Sequence, residues 1–227
     1  MKKILMLLLL TTGCSLARLE MPEHESYNVT GANPRLWKRP ISFGPWATKT
    51  VDMGVRHSWL AGLRGIEIGR VDQVYNLELE GRDGATRVDC HTQDFVIGRN
   101  GFWIDPTFGA EPALLCGFER HDQRAVLILG KTGRIEPSLT GDLRNADDEN
   151  APGLLIRSLH RITPKHWPSP TPLGYEVVDR GRTVAIVETA NRGRVWIDPA
   201  LDVTLRERIA AASAALLLWQ EPEAGID

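Results

Sequence analysis

Tyr175-Glu-Val-Val-Asp-Arg-Gly181-Arg182 begins the stretch, ending at Trp219, around which the chain is organised. Its apolar residues recur as one buried face of a strand requires. Asp179, Arg180 and Gly181 are turn residues, and Gly adopts positive φ without steric cost. Thr183 to Thr189 is rich in β-branched side chains and has no breaker. Asn191-Arg192-Gly193 is a second turn signal. Arg194 to Ile197 is a third short strand, stopped at Asp198-Pro199 because Pro has no N–H to give a ladder. The pattern predicts a three-stranded antiparallel meander.

A helix is expected next, over 205–219. Thr204-Leu-Arg-Glu207 fits a capping box, in which the Thr hydroxyl accepts from the Glu207 amide and Glu207 reaches back. From Ile209 to Trp219 the only polar side chain is Ser213. A helix apolar all round is buried, and this one is too short for a bilayer, which needs about 20 apolar residues. Its alanines (Ala210, Ala211, Ala212, Ala214, Ala215) let strand backbones approach, and Leu216, Leu217, Leu218 and Trp219 supply bulk. Two arrangements bury it: inside a curved sheet or barrel, or across one sheet face beneath loops. The fold class expected is mainly β (α+β), a curved antiparallel sheet or barrel with one buried C-terminal helix.

An earlier stretch echoes the meander. Tyr75-Asn-Leu-Glu-Leu-Glu-Gly81-Arg82 matches Tyr175 to Arg182 in the spacing of Tyr, Gly and Arg, and Trp103-Ile-Asp-Pro106 repeats as Trp196-Ile-Asp-Pro199. Either the meander is duplicated over 75–106 and 175–199, or common turn and strand words coincide.

The 227 residues fit a single β-rich domain over 41–227, preceded by a leader over 1–13 and a tether over 14–40. A net charge of −2 offers no bulk attraction to nucleic acid, which is not expected as a partner. Met1-Lys2-Lys3 and the apolar run Ile4 to Leu10 make a secretory signal. It ends in Leu10-Thr-Thr-Gly-Cys14, which resembles the lipobox of bacterial lipoproteins. The resemblance implies a diacylglyceryl group on the Cys14 sulfur, cleavage before it and acylation of the new amine with a palmitate-type chain. Several chains, at about 0.8 kcal/mol per buried methylene, make such an anchor permanent. Ser15 in the next position resembles an outer-membrane address, so the expected location is the cell envelope, on the periplasmic face of the outer membrane. An ordinary secreted protein with an incidental Cys14, or an uncleaved anchor, is the other reading.

With Cys14 acylated, Cys90 and Cys116 remain. An even pair in an oxidising compartment points to a disulfide. A reactive thiol beside His91 is the alternative, but adjacent strand residues face opposite ways. His57 to Gln73 carries Gly62, Gly65 and Gly69 and reads as irregular β structure or loop. Ala113 to Phe118 and Ala125 to Leu129 read as a hairpin. Lys131 to Gly153 is polar, and its acidic cluster (Asp142, Asn145, Asp147, Asp148, Glu149, Asn150) reads as a solvated loop, the spacing being wrong for a calcium-binding EF-hand. Leu154 to Ile162 reads as a strand or short helix. Pro164, Pro168, Pro170 and Pro172 make a stiff connector.

No nucleophile elbow, metalloprotease helix, P-loop or dinucleotide fingerprint is present. Asp52, His57 and Ser58 form a hydrolase triad on paper only, since geometry and not proximity is the warrant. Asp105 and Asp198, in the two Trp-Ile-Asp-Pro words, read as side chains bonding backbone at a strand end. No catalytic residue, metal ligand or cofactor is expected.

Two resemblances follow from these residues. The Cys14 lipobox, Ile-Ser-Phe-Gly-Pro-Trp46 and Gly-Arg-Val-Trp-Ile-Asp-Pro199 with its Ala/Leu-rich continuation resemble a family of uncharacterised bacterial membrane-anchored lipoproteins. Tyr175 to Trp219 is similar to the end of tubby-like and LURP-one-like domains, which implies a β-barrel closing around an apolar C-terminal helix. No position matches a phosphoinositide-binding residue of those domains. The expectation is a lipid-anchored, non-catalytic envelope protein that binds a lipid, a wall component or another envelope protein. The alternative is an envelope hydrolase using His57 or His121.

Overall fold

A computed structural model describes residues 19–21, 26–31, 40–63, 66–99, 102–104, 113–132, 138–148, 152–161, 169 and 171–219. The elements in chain order are β1 (Tyr27–Asn28), β2 (Ser42–Phe43), β3 (Trp46–Leu63), β4 (Ile66–Gly81), β5 (Gly84–Arg99), β6 (Phe102–Ile104), β7 (Leu114–Arg120), β8 (Gln123–Thr132), β9 (Ser138–Asn145), β10 (Leu154–Leu159), β11 (Gly174–Asp179), β12 (Arg182–Glu188), β13 (Arg194–Ile197) and α1 (Val203–Leu218). Twelve strands follow one path, β1-β13-β12-β11-β10-β9-β8-β7-β5-β4-β3-β2, and β6 pairs with β5 beside it. Every pairing is antiparallel. The two ends of the path meet where the Thr30 and Ser42 backbones exchange N–H···O bonds of 2.9 and 3.0 Å. The sheet is thus a nearly closed barrel, and one bridge spans its seam.

Alternation decides which way each strand faces. Tyr75, Leu77, Leu79, Val88, Cys90, Leu114, Cys116, Phe118, Leu127 and Leu129 point inward and are buried. Between them, Lys49 with Glu78 and Arg87 with Asp89 form exposed ion pairs on the outer wall. A membrane-spanning barrel has the reverse arrangement, apolar outside and polar within.

The helix fills the interior. Ile209, all five alanines and Leu216 are 0 % exposed. α1 enters at the end carrying the β4–β5 and β11–β12 turns. Along its length it meets Gly81 at Glu207, receives the Tyr75 hydroxyl on the Ala215 carbonyl at 2.9 Å, and ends with Trp219 6.1 Å from the Tyr175 ring. Burial in a barrel, and not beneath loops on one face, is the arrangement that holds. Ser213 is satisfied inside by bonding the Ile209 carbonyl at 2.8 Å.

The helix start differs from expectation. Its N-cap is Asp202, whose Oδ1 accepts the Leu205 amide at 2.9 Å. Thr204 is already helical, so no capping box forms and Glu207 turns inward. The expected meander is present as β11, β12 and β13, with Arg180 and Gly181 at φ 49° and 83° in the first turn. The echo has a structural counterpart, since β4, β5 and β6 are also a three-stranded meander.

Three other stretches depart from their readings. His57 to Gln73 is regular: β3 and β4 pair from Arg56↔Gln73 to Leu63↔Ile66, because cross-strand partners outweigh the low propensity of its glycines. β9 takes in Asp142 and Asn145 of the acidic cluster read as a loop, and its buried residues are Leu139 and Leu143. The barrel also begins before Ile41. Tyr27–Thr30, within the expected tether, supplies the strand and bridge that reach the seam, and Val29 is buried there.

Candidate functional site

Among the described residues, two places on the barrel gather charged side chains that are largely buried. The first is a seat for Leu19. Glu188 ends β12 and Arg194 begins β13, and they are cross-strand partners. Outward-pointing charges on neighbouring strands meet there as a pair, with side chains 2 % and 16 % exposed and Arg194 Nε donating to Glu188 Oε2 at 2.5 Å. The pair also takes up the backbone of Leu19. The Leu19 amide donates to Glu188 Oε1 at 3.3 Å, and Arg194 Nη2 donates to the Leu19 carbonyl at 2.8 Å. The Leu19 side chain is buried over Gly174.

The second is a cleft of about 250 Å³ at the barrel mouth, lined by Tyr27, Pro45, Arg82, Asp83, Val203, Arg206 and Glu207. Strand β1, the turns after β2 and β4 and the first turns of α1 bring these residues together. Glu207 is 4 % exposed and has no hydrogen-bond or ion-pair partner among the described residues. Its carboxylate lies against Gly81, where an added Cβ would stand 2.1 Å from Oε2. Arg206 lines the same cleft, and its Nε is buried without a partner. Arg120 Nη2 fixes the β4–β5 turn through the Asp83 carbonyl at 2.8 Å.

The residues singled out from sequence are dispersed. Cys90 and Cys116 face each other directly across β5 and β7 as a disulfide, Cα atoms 4.1 Å apart, both buried in the interior. Cys14 lies outside the described residues, as do Asp105, Glu149, Asn150 and the side chains of His57 and Ser58. Asp52 is exposed on β3, opposite Asn76. His121 sits exposed in the β7–β8 turn at φ 53°. Asp198 has the structural role expected of it: Oδ1 accepts the Ala200 amide at 2.9 Å, and Oδ2 accepts Arg182 at 2.6 Å. In the acidic cluster Asp147 pairs with Arg124, and no described group of three or more His, Cys, Asp or Glu could hold a metal ion.

Glu207, Arg206, Arg82, Glu188 and Arg194 escaped the sequence reading. One signal was present: Glu207 is the last charge but one before an all-apolar run, where a carboxylate at helical spacing from Ala211 and Ala214 must share their buried face.

The fold and these sites define a nearly closed antiparallel barrel with its own C-terminal helix inside. No protein-family model, curated protein or solved structure matches the chain.

Proposed function

We propose that this is a lipid-anchored envelope protein, held by acylated Cys14, that acts by binding and not by catalysis. The Leu19 seat carries the reading. Leu19 is five residues beyond Cys14, and five peptide steps reach at most about 18 Å. A buried ion pair that grips one backbone residue so near the anchor is a mooring, because it holds the barrel close against the bilayer. The outer-membrane address at Ser15 and the resemblance to membrane-anchored lipoproteins agree with it. Since α1 fills the interior, a lipid, wall component or envelope protein would be met on the rim or outer wall.

The test is metabolic labelling of the full chain with an alkyne fatty acid in a bacterial host, followed by membrane fractionation. Labelled, membrane-bound wild type and unlabelled, released Cys14→Ala are expected. Label persisting in Cys14→Ala refutes the anchor. Failure of any single His→Ala variant to complement a deletion strain, despite normal protein levels, refutes the non-catalytic reading.

A further inference from the structure

We propose that the cleft at the barrel mouth binds a small zwitterionic group, an ammonium with an anionic group beside it, and that Glu207 receives the ammonium. A carboxylate held mostly out of water, with no protein partner, is costly unless water or a ligand in the adjoining cleft meets it. Such a group in a native structure calls for an explanation, and a bound ligand or ion is one. Glu207 is 4 % exposed, unpartnered among the described residues, and part of the cleft wall. Neither Arg206 nor Arg82 pairs with it, although both line the same cleft. The site therefore sets the Glu207 carboxylate beside the Arg82 and Arg206 side chains, an acceptor and two cations that line one cleft without pairing. A ligand bearing only a cation or only an anion satisfies half of this set; a zwitterion satisfies all of it.

The walls suit the same group. The Tyr27 ring lines the cleft, and an ammonium is attracted to an aromatic face. Pro45 and Val203 are apolar and take a short carbon spacer. A volume of about 250 Å³ admits a headgroup or one amino-acid residue and is smaller than the sites that enclose whole drug-sized ligands. Gly81 is what lets the carboxylate lie where it does, since any side chain there would meet Oε2. An α-amino acid or peptide end and a phosphoethanolamine headgroup share the required chemistry. The inference stands apart from acylation of Cys14.

Isothermal titration of the purified full chain tests it with four probes: alanine, phosphoethanolamine, ethanolamine and inorganic phosphate. At least one zwitterion should bind about tenfold or more tighter than ethanolamine and phosphate. Glu207→Gln should weaken that binding by at least about tenfold, the loss of one charged hydrogen bond. Arg82→Ala, an exposed turn substitution that spares the core, should weaken it severalfold. Preference for alanine assigns the site to an amino acid or peptide end, and preference for phosphoethanolamine assigns it to a lipid headgroup. Absence of binding by both zwitterions overturns the proposal. So does phosphate binding as tightly as they do with Glu207→Gln unaffected.

Discussion

Tyr75→Phe removes one oxygen from the middle of the barrel and tests how α1 is held. The phenol is 1 % exposed and donates to the Ala215 carbonyl at 2.9 Å. That carbonyl also accepts the Trp219 amide at 2.9 Å. The substitution therefore leaves no orphaned acceptor, and its cost at pH 7 should be that of one ordinary hydrogen bond, about 1 kcal/mol, not the larger penalty of a stranded group. For a chain of this size that lowers Tm by roughly 2–4 °C. A second effect runs the other way. Burial pushes the Tyr75 phenol well above its ordinary value. The folded protein keeps a proton that the unfolded chain releases near pH 10, so the wild type retains this stability below about pH 10 and loses it as pH rises further. At pH 11 that loss is about 1.4 kcal/mol, and the Phe variant is spared it. Urea unfolding with the disulfide intact should show a deficit of about 1 kcal/mol at pH 7 that closes near pH 11. An equal deficit at both pH values would refute the burial of the phenol. A deficit above about 3 kcal/mol at pH 7 would mean that Ala215 has been stranded.

Three further substitutions probe the other supports. Replacing Cys90 and Cys116 together by Ala opens a link between residues 26 apart and should cost about 3 kcal/mol, read from the urea midpoint against the oxidised wild type. Arg194→Ala leaves the Glu188 carboxylate buried and uncompensated. It should cost about 3–5 kcal/mol and speed limited trypsin cleavage in the N-terminal segment, since the Leu19 carbonyl loses its donor. Gly81→Ala sets a methyl against Glu207 and should cost about 1–3 kcal/mol. Adding Glu207→Ala should recover most of that loss, and simple additivity in the double-mutant cycle would disprove the contact.

The core of the fold was legible because it is written in local patterns. A run from Ile209 to Trp219 with Ser213 as its only polar side chain asks for burial, and the three turn-separated strands before it left two hosts, a barrel interior or one sheet face, of which the structure has the first. The disulfide was legible from compartment logic applied to two cysteines. The misreadings share one cause, which is that the deciding interaction is distant in sequence. The glycines of 57–73 disfavour order locally, yet β4 has partners on both sides. β9 has a thin inner face, and β8 and β10 define it. Tyr27–Asn28 becomes a strand only because β13, its partners Val195 and Arg194 far along the chain, offers an edge. The two sites were hidden for the same reason. Leu19 meets Glu188 across 169 positions, and Glu207 is recognised only when Gly81 is seen against it. At the helix start, Asp202 and Thr204 both offered a cap. Asp202 prevailed, and that choice freed Glu207 to point inward.

The positions of the two sites bear on what the cleft would receive. Leu19 is held at the end of the barrel where β11 begins and β12 finishes, by Gly174 and Glu188. The Glu207 wall of the cleft lies at the other end, among the turns after β2 and β4 and the first turns of α1, while its Tyr27 wall sits on β1 opposite Val195. β12, with seven residues, separates these ends by about 23 Å at 3.3 Å per residue. On the anchored reading, Leu19 stays within about 18 Å of the bilayer, and the cleft faces the aqueous side. A headgroup of the anchoring leaflet would have to cross the barrel's length to reach Glu207. An amino acid, or the end of a peptide, would not. Of the two zwitterions, alanine should therefore bind more tightly than phosphoethanolamine. Lengthening the chain between Cys14 and Leu19 with a flexible insert should leave that affinity unchanged. Tighter binding of phosphoethanolamine, made stronger still by vesicles carrying that headgroup, would show that the mouth of the barrel and not the Leu19 end is turned to the membrane.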